Sequence, residues 1–457
     1  MKNRINYLAA FFLIPNSVFI NRCFLIFNLA FIILFLSCSK ESTKPETVTF
    51  SGKVTLEGRT DHSGVKVSLY KPVALDTALV RINQQYPNIG VQISQETEFD
   101  HREHTPVYST TTNATGNWKI ENVTPGDYNV VAEKDSFGWK TIFKTSGTQH
   151  NMNFKNTINL NQIDFSQNNI VIPPESYVQI VQNLLLNKNV VLTIGEGSIV
   201  EFKNNSELQI EGEFILNGSA KARITVYGGS NSSSRIQMGS NSKATFQYVN
   251  FQDFNSSLYL KGANAITIKY CRFKKGANAL ESVQTAYFKM ENCIITDMED
   301  GLLLNHTHSE LYKNIISKIT KSGILSLNEK NAVWKNNIIS YCLQNGLAMN
   351  PEGYGYSDSW AEIQQNDFVK NYNHIILGNK GWCRANQNNF LDESNYILMT
   401  SAIIGIDSLN FKTNYWKYVD KNMISEKIMD GHDRIGQPNV GCFVNYSDYR
   451  TNYINWQ

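Results

Sequence analysis

An all-β chain is predicted: an N-terminal antiparallel β-sandwich, then a parallel β-helix solenoid closed by a short C-terminal capping helix. Three observations carry this. Between Val48 and Phe143, short runs of alternating apolar and polar residues are broken by Gly and Pro turns, the pattern of half-buried strands. From Tyr248 onward a polar pair followed by β-branched or aromatic residues returns about every 22 residues, a period that marks a solenoid. Within each period no i, i+3, i+4 spacing asks for a helix. The 457 residues are too many for one ordinary compact domain, but a repeat lets the core grow in one dimension. At 42% hydrophobic and 18% charged the chain is not disordered.

The first 38 residues hold two apolar stretches, Leu8 to Ile20 and Phe24 to Leu36, behind a basic start. Each is shorter than the roughly 20 residues of a membrane-spanning helix, so residues 1–38 read as a secretory leader. Leu36-Ser37-Cys38 resembles the lipobox of bacterial lipoproteins, which implies lipidation of Cys38 and anchoring at the outer membrane. Residues 39–47 are polar and read as a tether. A removed leader takes Lys2, Arg4 and Arg22 with it, leaving 39 basic against 40 acidic residues. That balance gives no nucleic-acid footprint. Five cysteines remain beyond Cys38, an odd number, most of them read as small buried hydrophobes, with a disulfide between Cys271 and Cys293 left open.

Residues 48–144 carry the sandwich pattern, interrupted by an insertion near Val73 to Val107. The stretch Thr112 to Tyr128, with Gly116, Trp118 and Pro125-Gly126-Asp127-Tyr128, resembles the carboxypeptidase regulatory-like, transthyretin-like domain. That resemblance implies a spacer or docking module. Inside the insertion, Asp100-His101-Arg102-Glu103-His104 lacks a third metal ligand at a known spacing and reads as a solvated loop.

Residues 158–449 carry the repeat. The first large apolar residue after each polar pair or cysteine falls at 251, 273, 294, 315, 338, 368 and 390, in steps of 22, 21, 21, 23, 30 and 22. One period makes one coil, and stacked asparagines bond along their own ladder at a turn. The stretch Val191 to Val226 resembles the opening coils of right-handed β-helices of the pectin-lyase-like superfamily. Asn414-Tyr415-Trp416 followed by Ile428, Asp430 and Asp433 resembles the closing segment of related extracellular β-helices, with Lys417 in place of a glycine and Arg434 in place of an aspartate. Asn422 to Asp430 is the predicted capping helix, with Gly431 as its stop.

That superfamily includes polysaccharide lyases and hydrolases, which need paired carboxylates or a base near a neutralising cation. The candidates are Asp297, Glu299 and Asp300, with Lys318 and Lys321 one coil later. The same pattern suits an inter-coil salt-bridge ladder, which is the favoured reading. His306-Thr-His308 reads as a solvated turn. The 30-residue step adds a loop around Pro351 to Trp360, and long loops on rigid scaffolds tend to carry function. Tyr354, Tyr356 and Trp360 offer stacking faces, and Asp358 and Glu362 offer acceptors for sugar hydroxyls. No cofactor and no metal site is identified. The leading expectation is a membrane-anchored lipoprotein that recognises a polysaccharide or surface glycan without catalysis. A divergent lyase or hydrolase, or a structural part of a surface assembly, stays open as the alternative.

Overall fold

The computed structural model describes residues 46–456 except 148, 230–232, 352–358, 379, 393, 401–407 and 435–441. Cys38, Tyr354, Tyr356 and Asp358 therefore lie outside the described residues. The described residues before Phe50 and the turn Glu121–Gly126 make a small unit of their own. Phe50–Ile120 and Asp127 onward make one large unit. Among the described residues no helix is long and apolar enough to cross a membrane.

The sandwich has seven strands: β1 (Val48–Leu56), β2 (Lys66–Tyr70), β3 (Tyr108–Thr111), β4 (Asn117–Val123), β5 (Tyr128–Lys134), β6 (Gly138–Thr145) and β7 (Gln149–Phe154). One sheet runs β3-β2-β5-β6, antiparallel throughout. The other runs β4-β1-β7, and there β7 pairs parallel to β1. Strand β7 thus carries the sandwich ten residues past Lys144. Phe50, Val54, Val67, Leu69, Trp118 and Val130 fill the space between the sheets. Gly116 sits at φ +83°, where an added Cβ would lie 2.0 Å from the Val54 carbonyl oxygen, so the turn needs glycine.

The insertion is ordered. Helix α1 (Thr77–Gln85) is capped by Asp76, whose carboxylate accepts from the backbone of Ala78 and Leu79. A single-turn helix, α2 (Gln95–Glu98), starts at a capping box of Ser94 and Thr97. Asp100 to His104 is the expected solvated loop only in part: Arg102, Glu103 and His104 are exposed, but Asp100 and His101 are buried. His101–Glu103 form a 3-10 turn, and Asp100 is 1% exposed, accepting from Arg102 and from Gln252 of the solenoid. Its charge is met by guanidinium and amide donors, which lets it leave water.

From Ile158 the chain winds into a parallel β-helix. One face is a ten-stranded sheet running from Asn169–Ile172 to Gly381–Asn386, one strand per coil. Three corners per coil hold residues in the left-handed region. Tyr270, Lys275 and Gln284 turn one coil, Asn292, Asp297 and His306 the next, then Lys313, Lys318 and Asn328, then Asn336, Tyr341 and Asn350, all with φ between 41° and 61°. Such residues cost about 1 kcal/mol each outside glycine, and the ladders on either side hold them there.

The asparagine ladder is the clearest of these. The backbone N–H of Cys293 donates to Asn314 Oδ1 at 2.9 Å, Asn314 to Asn337 at 2.9 Å, Asn337 to Asn366 at 2.8 Å, Asn366 to Asn388 at 2.9 Å and Asn388 to Asn414 at 2.8 Å. Each amide Nδ2 also reaches back to a carbonyl of the preceding coil, as Asn337 does to Leu311 at 2.9 Å. All five asparagines are fully buried. Cys271 and Cys293 extend the line, with Cys271 N donating to Cys293 Sγ at 3.4 Å, and all five downstream cysteines are free and buried. Asn337→Ala should cost about 3 kcal/mol, because it orphans the Asn314 donors and the Leu311 carbonyl together. A denaturation midpoint within the error of wild type would show that the ladder is decorative.

The register corrects part of the predicted repeat. The inward residues in line are Phe251, Phe273, Ile295, Ile316, Ile339, Phe368 and Phe390. Ile294, Ile315 and Ile338 belong one residue earlier, to an outward row with Asn250, Arg272, Asp367 and Asn389. A one-residue shift in a strand moves a side chain to the opposite face. These three isoleucines are nonetheless fully buried, because Leu79, Tyr86, Ile89, Val91 and Ile93 of the insertion pack over them.

At the C-terminal end, Trp416 is buried and stacks on Phe390 at 4.8 Å. Helix α3 (Lys421–Glu426) is shorter than predicted, because Ile428–Met429 rejoin the solenoid by pairing with Leu398–Met399. Lys417 keeps a left-handed φ of 66° where the resembling families have glycine. Asp430 accepts from the backbone of His432 and Val444, and Asp433 from Asp430, so these acids hold a turn.

Candidate functional site

The predicted acids and bases are all outside the coil; Glu299, Asp300 and Lys321 lie near one another, while Asp297 and Lys318 have other partners. Asp297 is an exposed corner residue bonded to its neighbour Thr296 at 2.7 Å. Glu299 pairs with Lys321 of the next coil. Lys318 turns to Asp76 at the cap of α1. Asp300 accepts the Ser322 backbone N–H at 3.0 Å, and burial pushes its carboxyl up. Each base is thus taken by an acid, one of them across coils and one by the insertion. His306 is exposed, and His308 meets the edge of Tyr287 at 5.4 Å.

Of the loop residues, Trp360 and Glu362 are described, and both lie on the strand Ser359–Gln364. They face outward, half-buried, on the ten-stranded sheet. Trp382 and Arg384 occupy the next rung in the same register. The strand hangs from the preceding coil through Trp360 N, which donates to the Glu329 carbonyl at 2.9 Å.

A cleft of about 610 Å³ was not foreseen in the sequence. It opens between the edge strands β6 and β7 of the sandwich and the first coils of the solenoid. Trp139, Lys140 and Phe143 come from β6, and Asn151, Asn153 and Lys155 from β7 and the residue after it. The opposite wall holds Tyr177, Arg223, Thr225, Tyr227 and Asn250, and Glu96 of α2 closes one end. Period-two alternation explains the solenoid wall, since Ile199, Thr225 and Asn250 share one outward row and Glu201, Tyr227 and Gln252 another.

Aromatic rings interlock at one side. Trp139 meets Tyr177 at 5.5 Å and Tyr227 at 5.4 Å, and the Arg102 guanidinium lies 3.7 Å from the Tyr227 ring centre. Tyr177 donates to Glu201, and burial together with that carboxylate raises its hydroxyl pKa. At the other side Arg223 Nε donates to Asn250 Oδ1 at 2.6 Å, and Nη2 to the Tyr270 carbonyl at 2.6 Å. Burial pulls the Arg223 pKa below its ordinary value. Burial pushes the Glu96 carboxyl up, with Arg223 partly opposing it. The cleft therefore offers flat apolar faces beside hydrogen-bonding groups, within the usual 300–1,000 Å³ of a small-molecule site.

Residues 234–390 match the family described as "Right handed beta helix region", and the solenoid is a right-handed parallel β-helix. No curated protein matches the chain. One similar solved structure is the Dettilon tailspike protein, at 12% identity and a TM-score of 0.33. The match covers 63% of this chain and 61% of that one, so this chain spans less than two thirds of the tailspike. A second is the catalytic domain of a GH87 alpha-1,3-glucanase in complex with tetrasaccharides, at 9% identity and a TM-score of 0.28, covering 88% and 89%.

Proposed function

We propose that this is an exported outer-membrane lipoprotein, held by acyl chains on Cys38, that recognises carbohydrate without transforming it. The observation that supports it is the cleft, where Trp139, Tyr177 and Tyr227 stand beside Arg223, Thr225 and Asn250. A pyranose ring has an apolar face that stacks on aromatic rings and a rim of hydroxyls that needs donors and acceptors. Lys318 and Lys321, each held by an acid, favour recognition over chemistry. Trp360 and Glu362, with Trp382 and Arg384, are a second contact surface on the open sheet.

Retention on an immobilised polysaccharide panel tests this. Trp139→Ala should lower retention at least tenfold, and Thr225→Trp, which fills the cleft from the solenoid side, should do the same with an unchanged melting temperature. Unaltered retention in both, with loss in Trp360→Ala, would move the site to the open sheet. Unsaturated product absorbing in the ultraviolet would replace recognition by a lyase. Cys38→Ala should shift the protein from the membrane to the soluble fraction, and its staying in the membrane would sink the anchor.

A further inference from the structure

The charges around the cleft do not balance. Lys140 is paired with Glu175 at 2.7 Å, and Asp100 with Arg102 at 2.7 Å. Among the described residues Lys155 bonds the Pro174 carbonyl alone, and Lys221 stands exposed at the rim. Arg223, half-buried, donates to neutral acceptors alone: Asn250 Oδ1 and the carbonyls of Val249 and Tyr270. No carboxylate comes within ion-pairing distance of it among the described residues. Glu96 is the one lining acid without an ion pair, and it stands against three such cations.

A guanidinium drawn from water without a counter-ion is unfavourable, and its planar fork suits a carboxylate or a sulfate. Here the fork is already fixed. Nε and Nη2 are tied to the solenoid wall, so the side chain has little freedom left to lose on binding. Nη1 makes no hydrogen bond among the described residues and remains for a ligand oxygen.

We infer that the cleft takes an acidic saccharide whose anionic substituent seats on Arg223, an inference that rests on the carbohydrate reading above. Lys221 and Lys155 add to the attraction at the mouth, so the affinity falls as salt rises. Trp139 and Tyr227 stack on the ring, and Arg223 reads its substituent.

Calorimetry on the full chain distinguishes the two readings, with methyl glucoside, methyl glucuronide and glucose 6-sulfate as probes. The glucuronide or the sulfate should bind at least tenfold tighter than the glucoside, and the stronger of the two identifies the anion. Arg223→Gln should erase that preference, bringing the acidic and neutral probes to the same affinity. Inorganic sulfate should compete with the acidic probe only. Equal binding of neutral and acidic probes, or a preference that survives Arg223→Gln, overturns the inference and leaves carbohydrate recognition standing. Failure of all three probes overturns both.

Discussion

Arg272→Met should destabilise the protein by about 3–5 kcal/mol, the range for removing one partner of a buried ion pair. Arg272 is 1% exposed although it faces out of the coil. Its Nε and Nη2 bond the two carboxylate oxygens of Glu98 at 2.9 and 3.2 Å, Nη2 also reaches Thr296 Oγ1 at 2.8 Å, and Nη1 donates to the Phe273 carbonyl at 2.8 Å. Burial raises the Glu98 carboxyl, but Arg272, with Lys274 behind it, more than offsets this and holds it below the ordinary value. Methionine keeps the stem and removes the charge, so Glu98 would be left ionised in a joint closed to water. Glu98→Gln with Arg272→Met should recover part of the loss, since the stranded carboxylate goes with its partner and only Lys274 is left without that counter-charge. Urea denaturation measures both. A single variant within 1 kcal/mol of wild type would mean that the isoleucine strip alone docks the insertion.

The joint that Arg272 closes was the least legible part of the sequence. The coil period could be read because each turn must bring its strand back into register, and the asparagines recur for the same reason. The doublets Ile294-Ile295, Ile315-Ile316 and Ile338-Ile339 could not be resolved by spacing, since either member could face inward. Three successive outward isoleucines are themselves a sign of a covered surface. Their cover, though, comes from Leu79 to Ile93, more than 200 residues earlier, in one short helix and the irregular segment after it. The cleft escaped notice for a related reason. Trp139 and Tyr227 meet only because the sandwich is docked, and a spacer domain gives no cause to look for a shared wall. The corners hid too, as Lys275, Lys318 and Tyr341 are not residues from which a left-handed turn is expected. Trp360 could be read as outward and aromatic, but as part of a loop, not of a strand attached to the turn at Glu329.

That attachment gives the last prediction: raising the pH through 8 should cost the wild-type protein stability that Glu329→Gln retains. Glu329 is fully buried. One carboxyl oxygen accepts from Ser309 Oγ at 2.5 Å, and the other has no partner among the described residues. No cation faces it among the described residues, and burial pushes its pKa up to about 8, with the Ser309 hydroxyl and backbone opposing. A folded-state value above the ordinary one means that the native chain binds the extra proton between those two pH values. The associated stability is complete below about pH 4.5, declines as pH rises, and is gone above about 8, a swing of up to about 5 kcal/mol. Glutamine keeps an acceptor for Ser309 and cannot ionise, so the two proteins should match near pH 5 and diverge towards pH 9. Urea unfolding across that range measures the gap, and parallel curves would show that the carboxyl titrates as if solvated. The turn concerned also bonds Ser359 Oγ through Glu329 N at 2.9 Å. Ionisation should therefore loosen the start of the strand bearing Trp360 and Glu362 first, and amide exchange there should rise before the rest of the coil responds.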